Sequence, residues 1–79
     1  MSHLGCLALF AMKAEENIEK WGVQHLETLV LAIAEETGEL AQALLQYRHE
    51  GGERQRILDE TADLGALCCQ IFVSEKVQP

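Results

Sequence analysis

Glu35-Glu36-Thr37-Gly38-Glu39-Leu40 and Glu60-Thr61-Ala62-Asp63-Leu64 are the two stretches whose reading decides the fold. Each places two acids three residues apart, within one helical turn, amid apolar residues at steps of three and four. Advancing about 100° per residue, Leu29, Ile33, Leu40, Ala43 and Leu44 share one apolar sector. Glu36 projects inside that sector and Glu39 lies at its edge. The second stretch repeats the arrangement, with Glu60 among Ile57, Leu64, Leu67 and Ile71 and Asp63 at the margin. Charge therefore stands on two stripes that ought to be core.

Between the stretches, His49-Glu50-Gly51-Gly52 reads as a turn, because paired glycines are costly inside a helix. The spacing predicts a helix from about Glu27 to about Arg48, a second from about Glu53 to about Val73, and an antiparallel hairpin between them. Upstream, Leu4, Leu7, Ala8, Ala11, Ala14, Ile18 and Trp21 form a third helical stripe that ends near Gly22. No alternating strand pattern or internal repeat interrupts this order. The fold class expected is all-α, one domain over residues 1–79 with its core at about 4–73, and Ser74 to Pro79 frayed.

Glu39 and Glu60 are equally spaced about a midpoint between His49 and Glu50, and so are Glu36 and Asp63. In an antiparallel hairpin these pairs meet at matching levels. Helix axes about 8–10 Å apart let all four carboxylates converge. Left empty, such a cluster is costly through mutual repulsion and desolvation. An all-oxygen donor set suits a hard cation, Mg²⁺ first and Mn²⁺ next.

Composition narrows the partners. With 79 residues, a small domain gains much from metal or oligomerisation, so the three helices are expected to be completed as a bundle by further copies. Thirteen acids against six basic residues give a net charge of −7. No basic stripe exists, which argues against a nucleic-acid polymer. The apolar run Leu4 to Met12 is far shorter than the ~20 residues a membrane span needs, and it lacks the positive start of a signal peptide. Cys6, Cys68 and Cys69, odd in number and two of them adjacent, read as buried thiols in a reducing, cytoplasmic setting.

The two-part pattern, Glu35-Glu36-x-x-Glu39 followed one hairpin later by Glu60-x-x-Asp63, resembles the MazG-like all-α nucleoside triphosphate pyrophosphohydrolases. Lys20-Trp21-Gly22, upstream of the first acids, is similar to that family's approach to the same helix. The resemblance covers roughly Trp21 to Ile71. It implies Mg²⁺-dependent cleavage of an NTP or dNTP between the α and β phosphates by metal-activated water, giving the monophosphate and pyrophosphate in nucleotide-pool housecleaning. Glu36, Glu39, Glu60 and Asp63 would then be the metal ligands. Glu35 would orient or deprotonate the attacking water, or else be a surface residue.

Candidates for substrate binding are Lys20, Trp21 and His25, with Gln24 beside them. Trp21 would stack on a base or cap the core. Arg48, Arg54 and Arg56 are further candidates for holding phosphate, while Tyr47 and Phe72 are expected to pack. The sequence ends soon after Asp63, leaving little room for the additional helix of longer family members. A homodimer or homotetramer would supply missing basic groups across an interface. Rival readings are a phosphoribosyl-ATP pyrophosphohydrolase, a carboxylate-bridged di-iron or di-manganese bundle (disfavoured because Glu-x-x-His is absent), and a non-enzymatic acidic module with a structural cation.

Overall fold

The computed structural model describes residues 1–77, which form three helices and, among those residues, no strand. Helix α1 spans His3–Trp21, α2 spans Leu26–His49 and α3 spans Arg54–Lys76. Local chemistry explains the ends. The Ser2 hydroxyl oxygen accepts from the Gly5 N–H at 3.0 Å, satisfying a first-turn donor of α1. Glu27 in the first turn of α2 and Arg48 and His49 in its last complement the helix dipole. The Gly52 and Glu50 N–H groups both donate to the Gln46 carbonyl at 2.9 Å, closing α2. Gly51 between them has φ +72°, a left-handed conformation that a residue with a β-carbon rarely adopts.

The predicted bounds fall within a few residues of those observed. At the C-terminal end, α3 continues through Lys76, so Ser74 to Lys76 are helical where fraying was expected. The Val77 N–H donates back to the Val73 carbonyl at 3.3 Å and extends the ladder. Gln78 and Pro79, also expected to fray, lie outside the described residues.

Helix α3 is the central element. It packs against α2 across the hairpin and against α1 on another face, while α1 and α2 do not pack on one another. The buried apolar residues are Ala14, Leu29, Ala43, Ala62, Ala66 and Leu67, mostly alanines that allow close helix approach. At Gly65 the approach is closest, because an added β-carbon would collide with the Phe10 ring. Asn17 Nδ2 donates to the Oε1 of buried Gln70 at 2.9 Å, a second tie from α1 to α3.

The α1 stripe departs from expectation. Only Ala14 of its members is buried, whereas Leu4 is 78% and Trp21 66% exposed. A lone helix pair offers α1 one flank of α3, too narrow to cover a stripe of that width. Tyr47 and Phe72, expected to pack, are exposed, and Phe72 is 69% so. None of the three free cysteines is buried; Cys68 is exposed and Cys6 and Cys69 are half-buried.

Candidate metal centre

Glu36 is carried by α2, and Glu60 and Asp63 by α3. One carboxylate oxygen from each lies within 4.8 Å of the others, a convergence that a single cation can bridge. Glu36 Oε2 and Glu60 Oε2 are sealed from solvent and find no donor on any other described residue, so a proton shared between the two carboxyls is what they have. Unpaired buried carboxylate oxygens are expensive, and a hard cation is the partner their chemistry fits. An all-oxygen set of this kind is chemically compatible with a hard cation such as Mg²⁺ or Mn²⁺.

The two arms repeat a local device. Thr37, next to Glu36, donates its hydroxyl to the Ile33 carbonyl at 2.7 Å. Thr61, next to Glu60, donates to the Ile57 carbonyl at the same distance. Both hydroxyls are thus spent on their own helix. They leave the acids as the only side chains of these two motifs in the three-oxygen group.

Of the four acids expected to converge, three do. A three-residue step turns a side chain by about 60°. On α3 that turn carries Asp63 toward α1, whereas on α2 Glu39 stays outside the three-acid group, half-buried. Glu39 remains electrostatically coupled to its neighbours. Burial pushes the Glu36 carboxyl up from 4.5 to about 7, reinforced by a hydrogen bond shared with Glu60 and by the charges of Glu39, Glu60 and Asp63.

Two cations touch the cluster. Lys13 Nζ on α1 lies 2.9 Å from Asp63 Oδ1. Arg56 Nε lies 3.8 Å from Glu60 Oε1, and the same guanidinium donates to Gln46 and, at 3.4 Å, to Gln42 of α2. The Lys13 ammonium is held above its ordinary range by its hydrogen bond to Asp63; partial burial opposes this, and the charges of Asp63, Glu16 and Asp59 add to it. Sequence reasoning missed Lys13. Its only signal was a lysine four residues before Asn17 and eight before Trp21, all on one face of a helix.

Between α1 and α2, which do not touch, lies an open cleft of about 320 Å³. Glu36 and Asp63 form part of its wall, with Asn17, Trp21 and Gln24 on the α1 side and Ala32 and Leu67 beside them. Trp21 thus caps no core. It borders the acids, and the Lys20 ammonium sits 5.8 Å from its ring centroid. His25 is exposed at the N-cap of α2, makes no capping hydrogen bond with its side chain and does not line the cleft. Glu35 is exposed and outside the three-acid group, as are Arg48 and Arg54 at the hairpin end.

A second hollow of about 510 Å³ holds no acid cluster; Ile18, Val23, Leu29, Val73 and Val77 contribute to its apolar lining. No helix among the described residues is long and apolar enough to cross a membrane. Comparison with protein-family models, curated proteins and solved structures finds no match for this chain.

Proposed function

We propose that this chain is a Mg²⁺-dependent nucleoside triphosphate pyrophosphohydrolase, with Mn²⁺ as a possible substitute. One observation carries the reading: Glu36, Glu60 and Asp63 bring carboxylate oxygens within 4.8 Å of one another at the wall of an open cleft. Two buried oxygens there find no donor on any other described residue. Glu36, Glu60 and Asp63 would hold the metal, with Glu39 one turn away to complete or tune the set. The ion supplies Lewis acidity toward phosphate oxygens and lowers the pKa of water. In the reaction, water adds to the α-phosphorus, the α–β anhydride bond breaks, pyrophosphate leaves with the bridging oxygen, and the proton lost by the attacking water passes to solvent.

The protein's own groups have separate tasks. Glu36, raised to about 7, exchanges a proton near neutral pH and surrenders it on metal loading. Trp21 presents a face on which a base stacks, and Gln24 brings an amide to the same wall. Glu35 is assigned to water orientation only if substrate loading draws it inward from its exposed position. Lys20, over the Trp21 ring, and His25, at the start of α2, stay candidates although neither lines the cleft.

The apolar surface supports a homo-oligomer. Leu7, Met12, Val30, Leu31, Leu45 and Phe72 are exposed, and the buried set is small. A second copy is the simplest cover for such area. Three free thiols fit a reducing compartment such as the cytoplasm.

The test is a pyrophosphate-release screen across NTPs, dNTPs and phosphoribosyl-ATP, with and without Mg²⁺. Glu60→Gln and Glu39→Gln should reduce turnover by on the order of 10²-fold or more while preserving helicity. Unimpaired turnover in Glu60→Gln would reject the site. Orthophosphate as the first product would reject α–β cleavage. Thermal stabilisation by Mg²⁺ without turnover of any nucleotide would favour the structural-cation reading.

A further inference from the structure

We propose that Lys13 binds the substrate's polyphosphate and is parked on Asp63 until substrate arrives. This inference rests on the pyrophosphohydrolase reading above and adds to it a residue on α1. The two ion pairs found among the described residues both end on the cluster, yet their cations differ in freedom. Arg56 is anchored to Gln46 and Gln42 of α2, and its planar fork is committed to them. Lys13 has one partner, Asp63 Oδ1 at 2.9 Å, and a flexible four-carbon stem. Its side chain is one third exposed, so it can swing without leaving the protein surface.

Position supports the role. Lys13, Asn17 and Trp21 recur every four residues along one face of α1, and the latter two line the cleft. Eight residues place Lys13 about 12 Å from Trp21 along the helix axis, with Asp63 beside the lysine end. A nucleotide whose base stacks on Trp21 therefore lays its phosphates toward Lys13. The chain is strongly acidic, and the other basic side chains near the site are committed or peripheral. Lys20 is over Trp21, Arg56 is held by the two glutamines, and Arg48 and Arg54 flank the hairpin turn.

Asp63 serves two cations in turn. Without metal, the Lys13 ammonium offsets its charge and pins α1 to α3. Asp63 would share its charge with a bound divalent ion, and its pair with Lys13 would weaken accordingly. An incoming polyphosphate then offers the ammonium a more highly charged partner.

The test compares the wild-type chain with Lys13→Met and Lys13→Arg in two measurements. Mn²⁺ binding without nucleotide is read from free-ion electron paramagnetic resonance. Steady-state pyrophosphate release is read with the best NTP from the screen. Lys13→Met should bind Mn²⁺ several-fold more tightly, because Asp63 no longer has a competing partner. Its KM should rise about tenfold with kcat changed far less, and Lys13→Arg should recover most of the KM effect. A role confined to holding α1 on α3 would lower thermal stability without this KM–kcat split. Unchanged KM in Lys13→Met, or weaker Mn²⁺ binding, would overturn the proposal while leaving an active wild type intact. A wild type that releases no pyrophosphate from any nucleotide would instead remove the activity reading, and this inference with it.

Discussion

The Phe10 ring on α1 occupies the space that a β-carbon at Gly65 on α3 would need. Glycine at 65 is therefore a docking surface, and α1 is seated where α3 has no side chain. Together with the Asn17–Gln70 hydrogen bond, this contact ties α1 to α3, and Asn17 also lines the cleft beside the acids.

Gly65→Ala should destabilise the fold despite alanine's better helix propensity. Overpacking costs about 1–3 kcal/mol, and the gain in propensity returns about 1 kcal/mol. A net loss of up to about 2 kcal/mol is expected in urea denaturation at fixed protein concentration. Adding Phe10→Leu should recover part of it. Stability equal to or above wild type in Gly65→Ala alone would show that Phe10 yields freely.

Asn17→Ala should cost about 1–3 kcal/mol, since it leaves a buried amide oxygen of Gln70 without its donor. Combining it with Gln70→Leu should cost less than the two single changes added together. A double-mutant cycle in chemical denaturation measures this coupling. Strict additivity would mean that the pair contributes nothing.

The pH dependence of stability should change sign with metal. Glu36 has its folded value raised from 4.5 to about 7. The folded state therefore holds a proton that the unfolded state releases more easily. The associated stability is fully present below about 4.5 and declines as pH rises through about 7. Metal-free protein should thus melt at falling temperature across that window, and Glu36→Gln should remove most of the slope. Mg²⁺ affinity should rise over the same window, as the ligand loses its proton. Thermal scans with EDTA and with saturating Mg²⁺ measure both effects; parallel profiles would contradict the assignment.

Melting should also depend on protein concentration, because the exposed apolar residues of α1, α2 and α3 are proposed to meet a second copy. Sedimentation velocity should show a species larger than one chain. Phe72→Glu or Leu31→Glu should shift the distribution toward monomer if that residue lies in the interface. A wild type that sediments as a monomer at all concentrations would exclude the oligomer.

The sequence by itself determined the elements and the register of the acids. Apolar steps of three and four and the Gly51-Gly52 turn are local signals, so three helices were legible with bounds correct to a few residues. The symmetry of Glu36/Asp63 and Glu39/Glu60 about the turn is also local, because a short hairpin ties register to residue count. It led to the expectation that all four acids meet; Glu36, Glu60 and Asp63 lie together, and Glu39, expected opposite Glu60, does not join them.

Only the tertiary structure decided which neighbour each face meets. Periodicity identifies an apolar face but carries no information about what will cover it. The α1 stripe was therefore legible, while its exposure was not. The docking of α1 on α3, the open cleft, the position of Glu39 outside the three-acid group and the pairing of Lys13 with Asp63 are properties of how the helices dock. Docking runs through contacts such as Phe10 on Gly65, where residues distant in sequence meet through the absence of a side chain.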